Sequence, residues 1–247
     1  MSYYEILNGL FVLIIILSAI YYVYDWSKGS DRKPALWVAL LKADRIPQKL
    51  RKVYRTYPDK DRFMIFWLQL NRLDEDKVPG AMAELGVYRG QTAELLHHLS
   101  PERELHLFDT FRGFRQEDLR LETGEAASYT SANFADTSLE FVKTKLGEHA
   151  NIIYHQGNFS ETALSLINPP VFALVTIDVD LEKPTAEGLN WFYPLLAPGG
   201  VMIVHDYNPK WPGLMNAVDA FLQKIPETPV LMPDRNSSLI IVKNGIL

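Results

Sequence analysis

Two short clusters carry most of the chemistry this sequence offers. Thr176-Ile177-Asp178-Val179-Asp180 closes one apolar run, and His205-Asp206-Tyr207 closes the next. If the two run ends are neighbours, Asp178, His205 and Asp206 converge on one point. Two carboxylates and an imidazole suit a hard or borderline divalent cation such as Mg²⁺, with water in the remaining positions. An ion there binds a substrate hydroxyl, lowers its pKa and orients it. Asp180 stands close enough in sequence to take the proton. A plainer reading stays open beside this one. Acids at strand ends also cap helices or pair with lysines, here Lys183 and Lys210, and a lone His205 is often a hydrogen-bonded structural residue.

A second group lies upstream. Glu84-Leu85-Gly86-Val87-Tyr88-Arg89-Gly90 ends one apolar run and opens a helical stretch. Its glycines let the backbone approach a ligand, and the helix start behind them can receive a carboxylate. Asp109 ends the next run, where a carboxylate can accept from both hydroxyls of a ribose. The spacing is G-x-x-x-G, so the dinucleotide fingerprint G-x-G-x-x-G is absent. Taken alone the motif equally fits a structural turn; its position before Asp109 points to an adenosyl cofactor.

These residues need a frame that brings strand ends together. Apolar runs at 81–87, 104–110, 151–157, 171–180 and 199–207 alternate with helical segments, which predicts a mostly parallel sheet covered on both faces. VLMPD and SLIIVKN follow with no helix between them and predict a closing hairpin, its last strand antiparallel. The expected fold class is therefore α/β and Rossmann-like, with seven strands. Ligands of such sheets sit beyond the C-terminal strand ends, where the acids and glycines fall. Upstream, residues 34–58 read as one amphipathic helix and 62–73 as another. Residues 112–135 are polar and irregular, as loops over binding sites commonly are. Phe111, Phe114, Tyr129 and Phe134 in that loop either stack on a ligand ring or anchor the loop. The histidines His97, His98, His106, His149 and His155 read as structural or surface residues.

The 247 residues allow one such domain with a sizeable core. A net charge of -5 gives no reason to expect a nucleic-acid partner, and the absence of cysteine removes disulfides and thiolate chemistry. From Ile6 to Val23 no residue is charged. About 20 residues cross a bilayer's hydrocarbon core, so this segment is expected to be a single membrane span. Tyr21, Tyr22, Tyr24 and Trp26 follow where interfacial rings belong. A cleaved signal peptide would carry a basic start, which is missing here; a buried core helix is the other alternative. Lys28, Arg32, Lys33, Lys42, Arg45, Lys49, Arg51, Lys52 and Arg55 all follow the span, which is expected to place the rest of the chain on the cytoplasmic side of the membrane. The expected organisation is an anchor over 1–27, a basic helical connector and N-terminal helices over 28–78 and the α/β domain over 79–247.

Several motifs in order resemble the macrocin O-methyltransferase family, bacterial sugar methyltransferases of macrolide and aminocoumarin biosynthesis. They are Glu84 to Gly90, Leu107 to Gly113, Gly157 to Thr162, Pro194 to Gly200 and Ala217 to Asp219. The resemblance covers about residues 78–225. It implies a class I methyltransferase that uses S-adenosyl-L-methionine and often Mg²⁺. It also implies cofactor contacts at Glu84, Gly86, Tyr88, Gly90, Thr92, Asp109, Gly157 and Asp178, metal ligands at Asp178, His205 and Asp206, and Asp178 and Asp180 as catalytic residues, Asp180 as the base. Departures occur at Leu181-Glu182-Lys183-Pro184, where the family has L-Y-E-S, and at His205, where it has Asp. A sugar or glycan hydroxyl, lipid-linked or not, is the implied acceptor. A phenol or catechol acceptor, a non-catalytic binding module and a homo-oligomeric state remain open.

Overall fold

The computed structural model describes residues 2–27, 33–120 and 122–245. Lys28 and Arg32, two of the charges used to orient the span, lie outside these residues, as does the side chain of Trp26. The chain divides into two compact units, 1–46 and 47–247.

The first unit holds helices α1 (Tyr3–Ser27) and α2 (Ala35–Lys42). Within α1, Tyr3–Tyr24 forms 22 residues that are long and apolar enough to cross a membrane, none of them buried against protein. A helix of that length spans about 33 Å.

The second unit opens with α3 (Gln48–Thr56) and α4 (Lys60–Glu75). The single helix expected over 34–58 is thus two helices. Asp44 sits at φ 56° and Pro47 begins α3, so the backbone cannot continue helically between them. Both α3 and α4 fall in the compact unit 47–247 that also holds the sheet.

The sheet follows: β1 (Ala81–Leu85), β2 (Leu105–Asp109), β3 (Ile152–Gln156), β4 (Phe172–Ile177), β5 (Leu196–Val204), β6 (Val230–Leu231) and β7 (Leu239–Val242). Their order is β3-β2-β1-β4-β5-β7-β6, with β7 antiparallel to both neighbours and the first five parallel. Helices α5 (Gln91–Leu99), α6 (Gln116–Leu119), α7 (Leu139–Leu146), α8 (Phe159–Leu164), α9 (Glu182–Leu195) and α10 (Pro212–Leu222) fill the connections. Every residue of β1 and β4 is buried, as a strand covered on both faces requires. Against them pack Phe108, Phe159, Trp191 and Phe192, a ring cluster with centroids 4.8–6.0 Å apart.

Register sets the site. Leu85 pairs with Phe108 and Ile177, and Ile177 with Val204. Gly86, Asp109, Asp178 and His205 therefore leave their strands at one level, beyond the C-terminal edge.

Candidate active site at the strand ends

A cavity of about 470 Å³ opens at this edge, within the size range of small-molecule sites. Its lining brings together Glu84, Gly86, Tyr88, Thr92, Asp109, Gly157, Asp178, Asp180 and Asp206. Two expected site residues are not on it. Gly90, at φ 69°, is the left-handed residue that starts α5, and a Cβ there would press on Val142. His205 lies behind the wall.

Glu84 is 3% exposed, and its Oε2 has no hydrogen-bond partner among the described residues. Burial first, then the nearby Asp178 and Asp109, push its carboxyl well above the usual 4.5. Gly86 adopts φ 90°, and any Cβ there would collide with the carbonyl oxygen of Asp178. Only glycine lets the β1 and β4 tips meet so closely. Asp109 organises the turn between them. Its Oδ2 accepts from the backbone N–H groups of Val87 (2.6 Å) and Tyr88 (2.9 Å), and its Oδ1 from that of Phe111 (2.6 Å). A buried acceptor without a donor, beside a turn that only glycine can make, fits a ligand with a cationic group and an adenosyl body.

Asp178, Asp180 and Asp206 have carboxylate oxygens within 4.8 Å of one another, close enough to share a cation. Asp180 and Asp206 both sit at φ 60°, which turns their side chains off the strand direction. Burial, reinforced by Asp178 and Asp206, raises Asp180 well above 3.8. Burial also raises Asp178, although 29% of its side chain is exposed; the Arg62 guanidinium opposes the rise.

The trio differs from the one expected. His205 is 1% exposed, with Nε2 2.8 Å from Thr176 Oγ1 and Nδ1 2.6 Å from Ser238 Oγ. Ser238 donates to Asp234 Oδ2 at 2.7 Å, so it accepts from His205 Nδ1–H, and Nε2 accepts from Thr176. Burial, then Arg62, lowers the imidazole to about 3. Both nitrogens are occupied by hydroxyls, and no lone pair faces the cavity. The expected cation ligand is a structural residue, and Asp180 stands in the cluster instead. Lys183 reaches Asp118 rather than these acids, at 2.9 Å.

Sequence reasoning missed the charge at the centre. Arg62 Nη1 bonds Asp178 Oδ2 at 3.1 Å, Nη2 stands 3.7 Å from Asp206 Oδ1, and Nε bonds Asp234 Oδ2 at 3.1 Å. Asp59 caps α4 through the N–H groups of Asp61 and Arg62 and so fixes where the arginine begins its reach. A signal was present. Arg62 precedes the run Phe63-Met64-Ile65-Phe66-Trp67, all buried, and a charge entering a core with such a run needs a partner. Tyr57, Pro58 and Asp59 also line the cavity and also come from the segment read as a connector.

Phe114, Tyr129 and Phe134 form a second wall with Trp211. Phe114 and Tyr129 stack at 5.4 Å, Phe134 stands edge-on to both, and Trp211 Nε1 donates to the Tyr129 hydroxyl. Phe111 is buried away from the cavity.

The parallel sheet with its antiparallel β7, the cavity beyond the strand tips and the glycine turn at β1 define a class I methyltransferase fold. The chain belongs to the Macrocin-O-methyltransferase (TylF) family, whose description it matches over residues 51–235. A curated relative, the 8-demethyl-8-(2,3-dimethoxy-alpha-L-rhamnosyl)-tetracenomycin-C 4'-O-methyltransferase of Streptomyces olivaceus, is 28% identical over 145 residues, 53% of this chain and 54% of the relative. The chain thus aligns with about half the length of that relative. The O-methyltransferase NovP shares the fold with a TM-score of 0.66 at 23% identity, covering 75% of this chain and 80% of NovP. The calicheamicin methyltransferase CalS11 shares it with a TM-score of 0.57 at 22% identity, over 86% and 87% of the two chains.

Proposed function

We propose that this chain moves the methyl group of S-adenosylmethionine to a hydroxyl of a sugar or glycan, at a membrane that α1 spans. The observation that carries this reading is the single cavity that gathers Glu84, Asp109, Asp178, Asp180 and Asp206 around the Gly86 turn. Family membership supports the methyl transfer, and the rhamnosyl acceptor in the relative's name supports a sugar.

When bound, S-adenosylmethionine supplies an electrophilic methyl on a sulfonium. The residues then have separable tasks. Glu84 offers its unpartnered oxygen to the cofactor's cationic end. Asp109 holds the Val87–Tyr88 turn through Oδ2 and has at most one lone pair, on Oδ1, to offer the ribose. Tyr88 and Thr92 flank that part of the wall. Gly157, at φ 147°, lets the β3 end come close. Phe114, Tyr129 and Phe134 hold the acceptor by its apolar face and keep water away. Asp180 takes the proton: a raised pKa makes it a stronger base than an ordinary carboxylate. Asp180 would receive the acceptor hydroxyl's proton, leaving its oxygen free to take the methyl that a bound cofactor would supply.

The apolar α1 and the basic residues after it support a single-pass protein with its α/β unit on the cytoplasmic side. A lipid-linked glycan is then the acceptor within easiest reach. The test is transfer of labelled methyl to membrane glycolipid extracts and, in parallel, to soluble nucleotide sugars and catechols. Label in the glycolipid fraction is the expected result. Label confined to soluble compounds removes the lipid-linked acceptor, and failure of S-adenosylmethionine to bind in calorimetry removes the enzyme.

A further inference from the structure

We propose that Arg62 supplies, as a covalently held guanidinium, the positive charge at the acceptor site that a divalent ion would supply in the arrangement implied by the family resemblance. Resting on the methyl-transfer reading of the same cavity, this makes transfer by the chain independent of added metal.

The implied ligand set does not close. Of Asp178, His205 and Asp206, the histidine has both ring nitrogens bonded to Thr176 and Ser238. The other two face the guanidinium, at 3.1 Å and 3.7 Å. A dication among the carboxylates would have to displace those contacts and sit against a fixed positive charge.

The arginine is not placed to withdraw. Its Nε bonds Asp234, whose side chain is fully buried. Asp234 is itself fixed, because Oδ1 accepts from the Ser238 N–H at 2.6 Å and Oδ2 from the Ser238 hydroxyl. The helix that carries Arg62 is pinned at the same place, since Asp59 Oδ2 accepts from the Arg235 N–H at 2.9 Å. His205, Ser238, Asp234 and Arg62 thus form one buried chain of contacts, and the histidine's role in it is to hold Ser238. The substitution that spoils the ligand set also supports its replacement.

A guanidinium and a metal ion do different things to an acceptor. Arginine stays protonated at any working pH and donates hydrogen bonds from a rigid fork. At 3.7 Å the Nη2–Asp206 contact is longer than a hydrogen bond, so Nη2 has donors to turn toward a developing alkoxide. With Nη1 on Asp178 and Nε on Asp234, Nη2 is the part left to face an acceptor, so the site suits an isolated sugar hydroxyl better than a catechol.

The experiment uses the full chain in lipid nanodiscs. Mn²⁺ is titrated against it by electron paramagnetic resonance, and labelled-methyl transfer is measured with and without EDTA. The wild type is expected to leave millimolar Mn²⁺ free and to transfer equally well in EDTA. Arg62→Ala, freed of its counter-charge, is expected to bind Mn²⁺ at the carboxylates and to lose transfer by about 100-fold. Arg62→Lys keeps the charge without the fork and is expected to exclude Mn²⁺ while transferring poorly; it serves if the alanine variant does not fold. One Mn²⁺ bound to the wild type at micromolar concentration, with transfer abolished by EDTA, overturns the proposal. Wild type that excludes Mn²⁺ yet binds no S-adenosylmethionine sinks the methyl-transfer reading instead, so the two failures are told apart.

Discussion

His205 Nδ1 donates to Ser238 Oγ across 2.6 Å, tying the end of β5 to the turn that leads into β7. The imidazole that looked like a metal ligand is instead a neutral, buried link between two hydroxyls. Its lowered pKa has a sign that can be tested. Folding below the ordinary value of 6.5 must strip a proton from the ring, because the folded value is about 3. The stability His205 contributes is therefore fully present above pH 6.5 and is lost progressively as pH falls toward that folded value. His205→Gln keeps one hydrogen bond and never titrates. Melting the two proteins side by side should show the wild type ahead by several degrees at pH 8, with the gap narrowing at pH 5. A gap constant with pH would mean that the ring binds protons equally in the folded and unfolded states.

The β1 turn gives a sharper, purely steric prediction. Gly86 needs a positive φ and has the Asp178 carbonyl where a side chain would start. Gly86→Ala must push β1 and β4 tips apart or leave the left-handed region. Cofactor affinity, read by calorimetry, should fall by about tenfold or more, the cost of misplacing several contacts at once. Unchanged affinity would mean that the turn does not cradle the ligand.

Much of this architecture was legible because it obeys local rules. Five apolar runs alternating with helices could only become a covered parallel sheet, and two runs without a helix between them could only become a hairpin. Acids and glycines at run ends marked the cavity for the same reason. The centre of the site was not legible, because Arg62 reaches it over 116 residues of sequence separation from Asp178. Pattern reading placed helices in this segment ahead of the sheet, and nothing local says that one of them will dock on the strand tips. Residue type alone does not place His205: its chemistry allows metal binding or a structural role, while its partners, Thr176 from β4 and Ser238 from the hairpin, are set by tertiary packing.

For α1, the prediction concerns retention rather than chemistry. A charged side chain at the centre of a span costs about 3 kcal/mol on insertion scales. Ile14→Arg combined with Leu17→Arg should move much of the chain from the carbonate-resistant membrane pellet to the supernatant. Specific transfer to a soluble acceptor sugar should change little, while transfer to a lipid-linked one should drop. Full retention of the double variant in the pellet would show that something other than α1 holds the chain there.

Glu84 opposes stability and function within one side chain. Its carboxyl is buried with one oxygen unpartnered, and its pKa is raised by that burial first. A carboxyl raised on folding contributes most below its ordinary value of 4.5 and loses that contribution as pH climbs through the folded value, since the folded chain then carries an uncompensated buried charge. Glu84→Gln removes the charge and keeps the shape. Without cofactor, the variant should melt higher than wild type at pH 8 and level with it at pH 4. With cofactor the order should reverse, because only the carboxylate attracts a cationic group, and the variant's affinity should drop about tenfold, as for a lost charge-assisted hydrogen bond. Thermal melts at both pH values, with and without S-adenosylmethionine, read both effects in one experiment. If Glu84→Gln is less stable at every pH and binds cofactor as well as wild type does, the residue serves the fold and the cationic end of the cofactor must be held elsewhere.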